Sequence, residues 1–303
     1  MTVNKKLLIF LSTHLIIWTL IPSVTNSNLP LDTIEALAWG SNLDWGFIKH
    51  PPLSALFTEI FYQIFGHQDW AYYFLSQLFV IIAFYYVYLF SLEILNNNNH
   101  AFLSVILLEG IFFYNFTTPE FNVNVCQLPF WAMAVYYGHQ CFNKNKAKDY
   151  FILGLVMALG FLSKYLFIYL ILGVIIFYFY FIKKNNFKII HVLPGIIFLI
   201  IIFPHILWLT ENNYITILYG LKRTGETKVF LDHIIQPLTF LSKQIAILVP
   251  FFLISFFLIQ KKSEINCNYK NDNLIYLLVV NFAPLLLIFL TSLLMGLKLE
   301  QCG

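Results

Sequence analysis

Runs of about 20 predominantly apolar residues recur along the whole chain. That is the length an α-helix needs to cross a bilayer, because each residue advances the helix by only about 1.5 Å. Alternating segments of about ten residues, the mark of an outer-membrane barrel, are absent. A hydrophobic share of 59% and a mean hydropathy of +0.75 exclude an ordinary soluble domain. The pattern predicts an all-α polytopic membrane protein of about nine transmembrane helices in one domain covering 1–303. The predicted spans are 7–24, 70–95, 101–118, 125–142, 150–163, 165–182, 189–209, 239–260 and 274–296.

Short-loop lysines set the orientation. Lys5, Lys6, Lys144, Lys146, Lys148, Lys183, Lys184, Lys188, Lys261, Lys262 and Lys270 all fall on one side of these spans. That side is expected to be cytoplasmic, with the N-terminus inside and the first span retained rather than cleaved as a signal. Two outer loops follow, 25–69 and 210–238. The segment 51–66 has no room to cross, so its Pro-Pro start and Gly end suit a helix lying in the interface or re-entering the bilayer. The segment 150–182 must cross twice, which leaves Lys164 at the outer tip of a hairpin. Cys126, Cys141, Cys267 and Cys302 show no CxxC spacing, so neither a disulfide nor a metal site is assigned to them.

Only 11% of the residues are charged, so a cluster of ionisable groups at one membrane face points to chemistry there. The first outer loop holds Asp32, Glu35, Asp44, Lys49 and His50. Asp32 and Glu35 read in one way as a capping box that starts a helix. They read in another as a general base and its neighbour at the membrane surface. Lys49 and His50 precede Pro51-Pro52, which hold them at a helix N-terminus, a natural place for phosphate. The alternative is a lysine and histidine anchored among interfacial aromatics. Lys164 either snorkels or captures an anion. Arg223 in the second loop could grip phosphate through two parallel hydrogen bonds. Glu109 falls deep in its span with no partner evident, and Glu120 follows Pro119 in an outer loop. His14, His191 and His205 read as hydrogen-bonded packing residues.

Asp32-x-x-Glu35, then Trp39-Gly40, Trp45-Gly46-Phe47, Lys49-His50-Pro51-Pro52-Leu53 and Phe65-Gly66, resembles the first outer loop of the dolichyl-phosphate-mannose protein mannosyltransferase superfamily (glycosyltransferase family 39). Its bacterial members include the lipid A aminoarabinose transferase type. Weaker echoes are Thr118-Pro119-Glu120, Leu162-Ser163-Lys164 and Trp208 leading to Asn212-Asn213-Tyr214. Such enzymes continue through more spans and often an outer soluble domain, so the resemblance implies a C-terminally truncated member.

The resemblance implies the membrane glycosyltransferase (GT-C) fold with an interfacial site in the bacterial inner membrane. The donor would be a polyprenyl-phosphate sugar and the acceptor a hydroxyl of lipid, glycan or protein, with inversion at the anomeric carbon. Asp32 matches the catalytic acidic position, with Glu35 beside it. Lys49, His50, Lys164 and Arg223 are the expected donor-phosphate ligands. A divalent cation could bridge carboxylate and phosphate, although no ligand set demands one; no other cofactor and no nucleic-acid partner is expected. The competing readings are a transporter or lipid flippase, built around Glu109, and an inactive fragment of such a transferase.

Overall fold

The computed structural model describes residues 5–225, 229–258 and 271–298. These residues form twelve α-helices and no strand. The helices are α1 (Lys5–Thr25), α2 (Leu31–Gly40), α3 (Leu53–Phe65), α4 (Asp69–Leu95), α5 (Asn98–Ile106), α6 (Val123–Lys144), α7 (Ala147–Ser163), α8 (Ile168–Asn185), α9 (Leu193–Glu211), α10 (Ile215–Gly225), α11 (Asp232–Leu258) and α12 (Asp272–Met295). Short 3-10 turns precede α8 and α9 and follow α5. Lys228, Lys261, Lys262, Lys270, Cys267 and Cys302 lie outside the described residues.

Six described helical stretches are long and apolar enough to cross a membrane: α1, α4, Tyr165–Asn185, Ile189–Glu211, Asp232–Phe256 and α12. Their outward faces carry Ile9, Ile16, Leu20, Leu199, Ile200, Phe203, Phe252 and Leu253, all exposed. An apolar surface of that extent suits lipid and not water. The chain is a multi-pass membrane protein. Expected spans 125–142 and 150–163 correspond to α6 and α7. Helix α6 is long enough but carries Asn124, Gln127, His139 and Gln140, and it is sandwiched between α4 and α7; Asn124 bonds Lys164, and His139 Nε2 lies 3.1 Å from Asn273 Oδ1. Helix α7 has 17 residues.

The row α1, α4, α6, α7, α9 is continued on another side by α8, α12 and α11. Close approach is set by small residues, as expected between membrane helices. A Cβ on Gly154 would come within 2.6 Å of the Pro194 carbonyl, so α7 and α9 pack backbone to backbone there. Tyr150 and Tyr178 lie equally far from Lys164 in sequence, and their ring centroids are 6.5 Å apart. The chain therefore doubles back at Lys164, as the loop charges require. At the opposite end of the bundle Lys144 pairs with Glu93 at 2.7 Å and Lys184 with Asp272 at 2.8 Å.

One span differs from expectation. The segment 101–118 is not a single helix: α5 ends at Ile106, and two 3-10 turns carry the chain to Tyr114. Irregular backbone within a membrane protein needs internal partners. Here Asn115 Nδ2 donates to the Glu109 carbonyl at 2.9 Å and to Glu109 Oε2 at 3.2 Å, while Gly110 sits against Ile254 of α11. The side chain of Glu109 thus fastens a break in the helix.

Helix α3 is 13 residues long, about 20 Å, which is too short to span. Leu53, Ser54, Ala55, Thr58 and Glu59 are buried, while Leu56, Ile60 and Ile64 form an exposed apolar stripe at i, i+4, i+8. That arrangement suits a helix lying at the surface of the bundle with one apolar edge toward lipid. Gly66 ends it in the left-handed region, φ 64°, where a side chain would be strained.

Candidate functional site

Helices α2 and α3 lie side by side at one end of the bundle. Gly40 permits this, because a Cβ there would meet the Ala55 carbonyl at 2.6 Å. Between them runs a narrow cleft lined by Asp32, Glu35, Ala36, Trp39, His50, Ser54, Asn122 and Val123. Three residues singled out from sequence, Asp32, Glu35 and His50, therefore meet in one place.

The capping-box reading of Asp32 and Glu35 is corrected. Pro30 occupies the cap position with an extended backbone (φ −59°, ψ 152°), and no side chain caps the helix. Proline fixes the turn into α2 two residues earlier than Asp32 could. Asp32 sits in the first turn, exposed, where the helix dipole favours its charge. Glu35 accepts a hydrogen bond from Lys49 Nζ instead of folding back. This hydrogen bond, backed by the charges of Glu35, Tyr219 and Asp32, raises the Lys49 pKa against a lesser opposing effect of burial.

The segment Trp45–His50 reaches the cleft because it is pinned at several points. Phe47 N–H donates to the His50 carbonyl at 3.1 Å, closing a turn. His205 Nδ1 bonds the Trp45 carbonyl, and His205 Nε2 lies 2.7 Å from the Tyr165 hydroxyl. Thr216 Oγ1 donates to the Phe47 carbonyl. Gly46 is pressed against the Trp208 ring, where a Cβ would be 2.4 Å from Cε3. The Trp39 and Phe47 rings stack at 5.6 Å, and Trp39 meets His50 edge-on at 5.8 Å. The sequence reading took His205 as a hydrogen-bonded packing residue and Trp208 as part of a weak echo and gave Thr216 no role; it tied none of them to this loop, since their link to it is spatial.

His50 carries the electrostatic imprint of the site. Burial first, then the charges of Lys164, Arg223 and Lys49, lower its pKa from 6.5 to about 4. At neutral pH it is an uncharged donor and acceptor surrounded by cations. Lys164 is 5% exposed, at the break after α7, and donates to Asn124 Oδ1. Arg223 is exposed on the last turn of α10, and its charge reaches His50. The charges of Lys49, Lys164 and Arg223, from three separate parts of the chain, thus act on one histidine.

Glu120 has a position that its sequence did not reveal. Its Oε1 accepts the Asp32 backbone N–H at 3.1 Å, and Thr33 Oγ1 donates to the neighbouring Phe121 carbonyl at 3.1 Å. Burial, with a smaller contribution from the Asp32 charge, raises the Glu120 pKa, partly offset by that N–H bond. Two carboxyl groups, one from α2 and one from the loop before α6, therefore bracket the first turn of α2. The only clue in the sequence was an acid following Thr118-Pro119.

Among the described residues, no group of three or more His, Cys, Asp or Glu could hold a metal ion. His14 bonds Glu109 and Gln77, and His191 accepts the Lys188 N–H at 3.3 Å.

A family profile described as dolichyl-phosphate-mannose-protein mannosyltransferase matches residues 49–208. The matched range includes Lys49, His50, Glu120 and Lys164 and stops short of Asp32, Glu35 and Arg223. The undecaprenyl phosphate-alpha-4-amino-4-deoxy-L-arabinose arabinosyl transferase of Wigglesworthia glossinidia brevipalpis is 29% identical over 152 residues, which is 48% of this chain and 26% of that protein. The chain thus matches about a quarter of this relative's length. No solved structure matches the chain.

Proposed function

Since the chain belongs to the dolichyl-phosphate-mannose-protein mannosyltransferase family, we propose that it transfers a sugar from a polyprenyl-phosphate donor to an acceptor hydroxyl at the extracytoplasmic face of the membrane. The observation that carries this reading is the meeting of Asp32, Glu35 and His50 in one cleft flanked by the charges of Lys49, Lys164 and Arg223. A lipid-linked donor suits an interfacial site, because its prenyl tail stays in hydrocarbon while the sugar reaches water.

In the proposed reaction Asp32 takes the proton from the acceptor hydroxyl. The acceptor oxygen bonds to the anomeric carbon as the bond from that carbon to the phosphate oxygen breaks. The electron pair leaves with polyprenyl phosphate, and the anomeric centre inverts. Charge growing on the departing phosphate is met by Lys164, Lys49 and Arg223, which act most strongly where water is scarce. Lys164, buried and held by Asn124, is the most fixed of the three described partners of His50. Glu120 holds the Asp32 backbone in register. The name of the relative supports an aminopentose and an undecaprenyl carrier as the first donor to try.

The test is release of undecaprenyl phosphate from a labelled undecaprenyl-phosphate aminoarabinose in membranes containing the chain. Asp32→Asn is expected to lower turnover by about 10²–10⁴-fold, the usual worth of a general base, with unchanged protein yield. Full turnover by Asp32→Asn removes the aspartate from the mechanism. Translocation of donor that survives Asp32→Asn and is lost in Glu109→Gln would favour the transporter reading.

A further inference from the structure

Ser54 was not among the residues that the sequence singled out, and its surroundings give it a task. It lines the same cleft as Asp32, Glu35 and His50. It is 1% exposed, and its Oγ is buried with no hydrogen-bond partner. Most serines in such a place bond back to a carbonyl one turn earlier, as Thr58 does to Ser54 and Ala55 in this same helix. A buried hydroxyl without a partner is costly and calls for an explanation. Ser54 is the second residue of α3, whose first turn leaves amide N–H groups without intrahelical acceptors and carries the positive end of the helix dipole. The residues just before that turn are Lys49 and His50, and Pro51-Pro52 give the approach no N–H of its own.

We infer that Ser54 Oγ–H is a ligand of the donor's phosphate, completing a group made by the α3 N-terminus, Lys49, Lys164 and Arg223. This rests on the polyprenyl-phosphate reading of the site. The hydroxyl donates to a phosphate oxygen and forms no covalent bond of its own. It favours the phosphate over a sugar hydroxyl because the start of α3 offers free amide N–H groups next to Lys49, while the carboxylates Asp32 and Glu35 of the same cleft belong to α2. A helix N-terminus with a serine in its first turn and cations alongside is a recurrent solution for phosphate. The cleft measures only about 10 Å³, so donor entry requires the rim to open. The half-buried contact between Lys49 and Glu35 is the element that can yield, freeing Lys49 for the same phosphate.

The experiment measures binding of undecaprenyl phosphate and of undecaprenol to the full chain in nanodiscs, for wild type, Ser54→Ala, Ser54→Cys and Lys164→Gln. Wild type is expected to prefer undecaprenyl phosphate. Ser54→Ala should weaken that lipid by about 10-fold, the worth of one hydrogen bond to a charged group, and leave undecaprenol unchanged. Ser54→Cys keeps the volume with a weak donor and should fall between the two, which separates loss of a ligand from loss of packing. Lys164→Gln should weaken the phosphate as well. If wild type does not distinguish the two lipids, the polyprenyl-phosphate reading fails and this inference with it. If wild type and Lys164→Gln behave as expected while Ser54→Ala binds like wild type, or loses both lipids equally, the role given to Ser54 alone is overturned.

Discussion

His50 offers a quantitative check on whether three cations converge on one cleft. Its pKa falls from 6.5 to about 4, through burial first and then through Lys164, Arg223 and Lys49. At 1.36 kcal/mol for each unit of pH, and allowing for screening at its partly exposed edge, that gap corresponds to roughly 2 to 3 kcal/mol. The sign follows from proton counting. Between pH 4 and 6.5 the unfolded chain binds the proton and the folded chain does not, so stability rises with pH across that window. The contribution of His50 is complete above about 6.5 and is lost as pH falls toward 4. The assay is a histidine ¹⁵N NMR titration of the protein in micelles, paired with thermal unfolding at pH 4 to 8. The chain has eight histidines, so the His50 signals are assigned by their disappearance in His50→Gln. Wild-type His50 should stay neutral down to about pH 5. Lys164→Gln should move the transition upward without restoring 6.5, because burial is the larger cause. His50→Gln should flatten part of the acid limb of stability. A His50 titrating near 6.5 in wild type, or one indifferent to Lys164→Gln, would refute the convergence.

Two further outcomes test the scaffold of the site. Gly46→Ala drives a methyl to within 2.4 Å of the Trp208 ring, so it should cost about 1–3 kcal/mol by overpacking, read as a lower unfolding temperature together with weaker donor binding; an unaffected variant would mean that the ring moves freely. Glu120→Gln keeps an oxygen for the Asp32 N–H and should retain most turnover, whereas Glu120→Ala removes that acceptor and should reduce turnover several-fold. Equal activity of Glu120→Ala and wild type would show that the bond at 3.1 Å does not position Asp32.

The membrane architecture was legible because apolar run length is a local property that lipid enforces directly. The interfacial α3 was legible for the same reason, from Pro-Pro, a short run and Gly66. The site was legible in part. Asp32, Glu35, Lys49 and His50 lie within one loop, so their proximity is written in the sequence. Lys164 followed from counting crossings. What stayed hidden depends on contacts across large separations: Asp32 to Glu120 spans 88 residues, and His14 to Glu109 spans 95. The misreading of 101–118 has the same origin. Hydropathy averages over Glu109 and Asn115, while the fold uses both to fasten a break. The capping box was misread because local spacing offered Glu35 a backbone partner, and a lysine 14 residues away offered a better one.

The contact between buried His14 and half-buried Glu109 bears on the choice between enzyme and transporter. An acid within the membrane is a candidate for a transport pathway by default. In this bundle its partners are fixed. Gln77 Nε2 donates to Thr118 Oγ1 at 3.2 Å, and Gln77 Oε1 faces His14 Nε2 at 3.2 Å. His14 Nδ1 lies 2.6 Å from Glu109 Oε1. The network's other ends are Asn115 and Thr118, and Ser76 donates to the Thr118 carbonyl. Two residues further along, Glu120 accepts the Asp32 N–H. The deep polar residues therefore terminate on the loop that positions the surface aspartate. A pathway would need groups free to exchange partners along the bundle; this set is engaged with the backbone of one loop, as the support of the proposed surface site would have to be.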